Sequence, residues 1–314
     1  MKAKVVLVYI LLFSLTLLYS GCSKDINPTV YKTKNVIIVV VDGARYSETW
    51  GDSTHQYISN RYNLLSQGVL CSNFYNNGVT ATVPGHTAIC TGNYENINNG
   101  GMEYPAHPSF LQYWNKINPT LASKAWVITT KDKLQVLSDC TDSLWKGQYT
   151  PNTDCGNSGL GTGYRDDSTT YQSAIDKLSH QQIQLAIINF KQPDVAGHAN
   201  DSLGYLQGIF DTDNYIGALW QQIQNDDKYK DNTTLIVTND HGRHTPGVSN
   251  GFISHGDQCE GCKHIEFFAL GPDFKQNYIS TKPYEQIDIP NTVSELLGIY
   301  MPTSKGKVMK DIFK

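Results

Sequence analysis

The sequence contains no dense run of lysine or arginine, and its formal net charge is −4. A protein that grips a nucleic-acid backbone needs a basic face to neutralise phosphates, so that class is excluded. Internal repeats and low-complexity tracts are also missing, which removes solenoids and arrays from consideration. The longest apolar stretch, Val5 to Tyr19, falls short of the ~20 residues required to cross a bilayer, which argues against a retained transmembrane helix. A second Cys-x-x-Cys to complement Cys259–Cys262 is lacking, so sequence alone does not complete a zinc knuckle.

The N-terminus is informative. Lys2 and Lys4 precede the apolar stretch, and Ser20-Gly21-Cys22 follows it, the layout of a secretory signal. A cysteine directly after small residues resembles the bacterial lipoprotein signal, which makes Cys22 the lipidated first residue of an exported, surface-tethered protein; an ordinary cleaved signal peptide is the alternative. Residues 23–34 lack apolar periodicity and read as a flexible tether. Beyond Cys22 six cysteines remain, an even number that suggests disulfides in an exported chain. Cys140–Cys155 and Cys259–Cys262 are the simplest pairs, leaving Cys71 with Cys90. Nineteen tyrosines and abundant Asn, Gly and Ser fit a polar, loop-rich surface.

What the chain does have is buried-strand character. Residues 35–41 form a nearly continuous β-branched run, as expected of a strand covered on both faces of a parallel sheet. Similar runs recur at 125–129, 185–190, 234–238 and 265–270. Helical patterns lie between or beside them at 58–66, 84–90, 110–116, 171–178, 203–225 and 289–297. This alternation predicts an α/β fold: a doubly wound, mostly parallel sheet flanked by helices, in one catalytic domain over 35–314. Residues 147–163, rich in Gly, Asn and Thr, read as a long surface loop.

Polar residues able to bind metal follow the apolar runs. Asp42 follows the first strand in VVVDG; Asp194 and His198 lie in PDVAGH; Asp240 and His241 lie in VTNDHG; His255 lies in ISHG; Thr82 lies in TATVPGH. In an open α/β sheet, ligands bind beyond the carboxyl ends of the strands, so these side chains are expected at one rim. Mixed carboxylate and imidazole donors suit Zn²⁺ and also accommodate Mn²⁺. Two such cations clamp the attacking and leaving oxygens of a displacement at phosphorus. Pro84 favours a first helical turn, which places Thr82 just before a helix N-terminus, where an anion is welcome. A cation beside its hydroxyl would make Thr82 a usable nucleophile. Each signal alone has an ordinary explanation: a turn after a strand, a helix cap, a surface histidine. Their joint occurrence in this order is what carries the reading.

Asp-Gly, Thr-x-Pro-x-His, Asp-x-x-x-His, Asp-His-Gly and His-Gly, taken in that order, resemble the alkaline phosphatase superfamily, and most closely its type I phosphodiesterase/nucleotide pyrophosphatase branch, which has Thr at the nucleophile. The likeness extends from Val36 to about Phe274. It implies two zinc ions, one held by Asp194, His198 and His255 and the other by Asp42, Thr82, Asp240 and His241. It also implies reaction through a phospho-threonine. The family's last ligand sits in a His-Gly step before a strand ending Gly-Pro, which selects His255 over His244 and His264. His244 is then a rim residue and His86 a supporting one.

Substrate class turns on Trp126-Val-Ile-Thr-Thr-Lys131-Asp-Lys133. A phosphate monoester carries more negative charge than a diester, so cations near the phosphoryl oxygens favour monoesters. A Lys-x-Lys pair here resembles superfamily members acting on monoesters, and also the phosphonoacetate hydrolases. Asn99, or Asn98 beside it, is the candidate amide donor to a phosphoryl oxygen. The expected partner is therefore a small phosphorylated substrate, monoesters ahead of diesters, with membrane contact only through the lipid anchor. A nucleotide pyrophosphatase/phosphodiesterase and a phosphonoacetate-type C–P hydrolase are the enzyme alternatives. A sulfatase is disfavoured because Thr82 cannot become formylglycine. The non-enzyme alternative, a surface binding protein on a degenerate hydrolase fold, would be expected to lack ligands, and here every ligand position is filled.

Overall fold

The β-branched run at Asn35–Val41 forms strand β1, and its side chains divide by alternation between two cores. Val36, Ile38 and Val40 join one apolar cluster, whereas Ile37, Val39 and Val41 join the other. This computed structural model describes residues 30–314; the signal segment, Cys22 and the tether as far as residue 29 lie outside the described residues.

The remaining strands are β2 (Gly68–Cys71), β3 (Phe74–Tyr75), β4 (Ala125–Thr129), β5 (Asn152–Cys155) and β6 (Leu185–Phe190). After them come β7 (Thr233–Thr238), β8 (Phe267–Leu270), β9 (Tyr278–Ser280) and β10 (Tyr284–Glu285). The main sheet has the order β5-β4-β6-β1-β7-β8-β2-β9, while β10 and β3 form a small separate pair. β8 runs antiparallel to β7 and β2, and every other pairing in the main sheet is parallel.

Helices cover both faces. α1 (Ser59–Leu64), α2 (Thr82–Thr91), α3 (Phe110–Ile117) and α4 (Asp167–Asp176) precede α5 (Asp194–His198), α6 (Ser202–Asn225), α7 (Glu260–Lys263) and α8 (Asp288–Leu297). α2, α3 and α8 supply Val83, Ile89, Phe110, Leu111, Ile289 and Val293 to the core that holds Val36, Ile38 and Val40. α6 supplies Ile209, Ile216, Leu219 and Ile223 to the opposite core. Each fully buried aliphatic side chain of this kind contributes roughly 1.5–3 kcal/mol of transfer free energy. The α/β, mostly parallel architecture read from the sequence is the one observed.

Three expectations need correction. The stretch 147–163 is not all loop, because Asn152–Cys155 pairs in parallel with β4 along the sheet edge. Its polar composition suits an edge strand, where only one side is paired. The tether read over 23–34 ends earlier than expected. Lys32 and Thr33 donate backbone hydrogen bonds to Asp273 at 2.9 and 2.7 Å, and the Tyr31 hydroxyl reaches Glu295 at 3.0 Å. Finally, the six described cysteines are all free thiols. Cys71, Cys90, Cys140 and Cys155 are buried among apolar side chains and pack as small hydrophobes, which proximity along the chain did not reveal. Among the described residues, no helix is long and apolar enough to cross a membrane.

Candidate active site

The order β4-β6-β1-β7 places the carboxyl ends of four parallel strands side by side. Val41 is level with Phe190, Val40 with Thr238 and Thr129 with Asn189. The residues that follow, Lys131, Asp194, Asp42 and Asp240, therefore converge on one rim. Asp42, Asp194 and Asp240 are all buried.

Two donor groups form there. Asp42, Asp240 and His241 have one ligand atom each within 4.8 Å of one another, and so do Asp194, His241 and His255. His241 Nδ1 donates to the Gly242 carbonyl at 2.8 Å, so the lone pair of Nε2 faces Asp240 Oδ2 at 3.4 Å and Asp42 Oδ1 at 3.7 Å. His255 Nδ1 donates to the Thr80 carbonyl at 2.8 Å, leaving its Nε2 3.5 Å from Asp194 Oδ1. His198 Nε2 lies 3.4 Å from Asp194 Oδ1 and 3.1 Å from His255 Nε2. In each case a backbone carbonyl fixes the tautomer of His241 or His255, the usual way a protein aims an imidazole at a cation.

These donors fit divalent cations. Asp240 Oδ2 and His241 Nε2 are buried atoms without a directional hydrogen bond, Asp42 Oδ1 beside them meets the Lys131 ammonium at 2.9 Å, and all three point into the same space. Buried acceptors left unpaired are costly, and two of them beside a carboxylate call for positive charge beyond that of Lys131. Burial and the neighbouring histidine push His255 down to about 3, and burial also lowers His241 and His198, so all three imidazoles are neutral and able to ligate. Burial, followed by the nearby Asp240 carboxylate, raises Asp42 well above the ordinary range. Burial would raise Asp194 too, but the Lys131 ammonium and the Arg243 guanidinium beside it hold it well below that range.

Lys131 enters this cluster more deeply than a substrate-binding role required. Its Nζ lies 2.9 Å from Asp42 Oδ1, 2.7 Å from Asp194 Oδ2 and 3.3 Å from Thr82 Oγ1, and the residue is 2% exposed. Lys133 stands further out, with Nζ 3.5 Å from Asn99 Oδ1. Burial and the Lys131 charge lower its pKa. Thr82 is the first residue of α2 rather than the residue before it. Asn99 Oδ1 accepts from Val83 N–H at 2.8 Å and so caps that helix.

Several contributors were not found from sequence. Asn189 donates to Asp42 Oδ2 and to His86 Nε2, both at 3.2 Å, while His86 Nδ1 donates to the Thr82 carbonyl at 2.8 Å. An asparagine inside the apolar run Leu185–Phe190 was the available signal. Fully buried Arg243 binds Asp194 and the carbonyls of Phe252 and Ile253, coupling one ligand to the loop that leads to His255. Two glycines allow close approach. Gly43, at φ +72°, would bring a Cβ within 2.9 Å of Asp194, and one on Gly85 would meet the Asp240 carbonyl at 2.4 Å.

With this geometry described, comparison with known proteins gives a consistent result. The type I phosphodiesterase/nucleotide pyrophosphatase family model matches residues 36–247. Bis(5'-adenosyl)-triphosphatase ENPP4 of Homo sapiens is 25% identical over 251 residues, covering 75% of this chain and 52% of that protein. The chain thus spans about half the length of that curated relative. Among solved structures, murine ectonucleotide pyrophosphatase/phosphodiesterase 5, an inactive form in complex with AMP, superposes with a TM-score of 0.64 at 15% identity, covering 90% of this chain and 100% of that one. The phosphonate monoester hydrolase SpPMH from Silicibacter pomeroyi superposes with a TM-score of 0.62 at 14% identity, covering 88% and 76%. These two likenesses are of fold. The matched family model covers most of the sequence and includes every candidate ligand segment except that of His255, and the chain belongs to the type I phosphodiesterase/nucleotide pyrophosphatase family.

Proposed function

We propose that this protein is a two-cation phosphoric ester hydrolase that works through a phospho-Thr82 intermediate and prefers monoesters to diesters. Asp194, His198 and His255 would hold one divalent cation, and Asp42, Thr82, Asp240 and His241 the other, with zinc favoured by the mixed oxygen and nitrogen donors. The bound cations supply Lewis acidity: they lower the pKa of the nucleophile and offset charge on the phosphoryl oxygens.

The protein's own groups do the rest. Thr82 Oγ1, its proton given up to solvent, forms the new bond to phosphorus as the ester oxygen departs with its electron pair and takes up a proton from solvent. Water then attacks the phospho-threonine and releases phosphate and the free hydroxyl. Asn99, with its Oδ1 committed to Val83 N–H, keeps its NH₂ available for a phosphoryl oxygen. The observation that carries the monoester reading is Lys131, a buried ammonium 3.3 Å from the nucleophilic oxygen with Lys133 beyond it. Cations held by Asp42 and Asp194 would release the Lys131 ammonium from those carboxylates to face the extra negative charge of a monoester.

The test compares p-nitrophenyl phosphate, its bis ester and phosphonoacetate, with metal analysis of the same preparations. Thr82→Ala should lose turnover while keeping most of its metal, and retained turnover would refute the nucleophile. A higher kcat/KM on the bis ester than on the monoester would favour the phosphodiesterase alternative. Release of acetate and phosphate from phosphonoacetate would favour the C–P hydrolase. We also propose export and lipid attachment at Cys22, motivated by the signal-like N-terminus. Cys22→Ser should then move the protein from the membrane to the soluble fraction, and unchanged partition would disprove it.

A further inference from the structure

Outside the proposed catalytic centre, His244, Asp257, Cys259 and Cys262 bring one ligand atom each within 4.8 Å of one another. His244 is buried, and its Nδ1 faces the Ser254 hydroxyl at 3.2 Å and Asn250 Oδ1 at 3.4 Å. Its Nε2 is thereby turned the other way, 3.1 Å from Asp257 Oδ2 but without a directional hydrogen bond. Cys262 is fully buried, and both cysteines are free. Their backbone is set by Cys262 N–H donating to the Cys259 carbonyl at 3.1 Å and by Cys259 N–H donating to Asp257 Oδ1 at 2.9 Å.

We propose that these four side chains form a third metal site, structural rather than catalytic, that takes a thiolate-preferring divalent cation, zinc above all. Two sulfurs, one imidazole and one carboxylate are a soft-to-borderline donor set, which disfavours Mg²⁺, Ca²⁺ and Mn²⁺. Tetrahedral zinc places its ligand atoms roughly 3.3–3.8 Å apart, inside the 4.8 Å that bounds these four, and His244 Nε2 is 3.1 Å from Asp257 Oδ2. The Cys-x-x-Cys therefore needs no second copy of itself, because His244 and Asp257 complete the set. The placement explains a purpose. Gly242 N–H donates to the Cys262 carbonyl at 2.8 Å and Arg243 N–H to the Gly261 carbonyl at 2.9 Å. A cation there would tie the segment carrying His241 to the segment carrying His255.

Cobalt substitution of the full-length protein, isolated under reducing conditions, tests this directly. The proposed catalytic centre contains no sulfur, so a thiolate-to-cobalt charge-transfer band in the near ultraviolet cannot come from it, and Cys262→Ser separates the third site from the other free thiols. The band should be present in the cobalt-loaded protein, persist in Asp42→Asn, and disappear in Cys262→Ser together with one equivalent of bound metal. His244→Gln, which leaves both thiols in place, should weaken cobalt affinity at least tenfold. Absence of the band from the wild-type protein would overturn the proposal without recourse to any variant. So would its survival in Cys262→Ser, or a Cys259–Cys262 disulfide found by mass spectrometry in protein isolated without reductant.

Discussion

Asp42, Asp194 and Thr82 all present oxygen to the Lys131 ammonium, at 2.9, 2.7 and 3.3 Å. Lys131→Ala should therefore cut kcat/KM for p-nitrophenyl phosphate on the order of a hundredfold, the usual loss for one well-aimed donor. Its bis ester should be affected much less. Equal losses on both substrates would show that Lys131 orders the carboxylates rather than matching substrate charge. The convergence of the candidate ligands on one rim could be read from sequence because most of them follow the end of an apolar run, where the fold leaves little choice of position. Arg243 and Asn189 could not, since their importance lies in what they touch. Lys131 was found, but its contact with Asp42 and Asp194 depends on three strand ends being neighbours.

Strands and helices add their own polar anchors. Asp154 on β5 takes Lys177 at 2.6 Å, and Arg165 and Ser173 also bind it. Burial raises its pKa, but these three partners outweigh burial and bring it down to about 2. A carboxyl depressed in this way stabilises the fold above its unfolded pKa of about 4 and loses that contribution as pH falls toward 2. Asp154→Asn should accordingly lower the urea midpoint at pH 7, and its difference from wild type should shrink steadily below pH 4. A constant difference would remove the charge from the explanation. Elsewhere, Arg61 on α1 bridges Asp213 on α6, at 2.8 Å, and Glu266 beside β8, and all three side chains are fully buried. Arg61→Met leaves two buried carboxylates without their cation and should cost about 3–5 kcal/mol in urea unfolding. The long β-branched strands were legible because burial on both faces demands such runs. β2, β5 and β9 were not, as strands of three or four residues at or near an edge leave little pattern.

For the molecule as a whole, the rim at the strand ends concentrates Asp42, Asp194 and Asp240 in one buried place, and bound cations should raise the stability of the entire fold. With free cation about a hundredfold above its Kd, the gain from one site is about 2.7 kcal/mol. Chelation should therefore lower Tm, and titrating Zn²⁺ back should restore it in a concentration-dependent way. A Tm indifferent to chelator would contradict tight binding at the rim. The doubly wound architecture was readable from alternating periodicities, whereas the antiparallel insertion of β8 depends on pairings that no local pattern encodes.

Gly43 N–H meets Asp240 Oδ1 at 3.2 Å across 197 positions of sequence. During synthesis, the early segment with Asp42 and Thr82 emerges long before its partners on β6 and β7 exist. A half-made chain thus lacks the assembled donor set. Metal capture at this rim would then await chains whose central strands have already found one another.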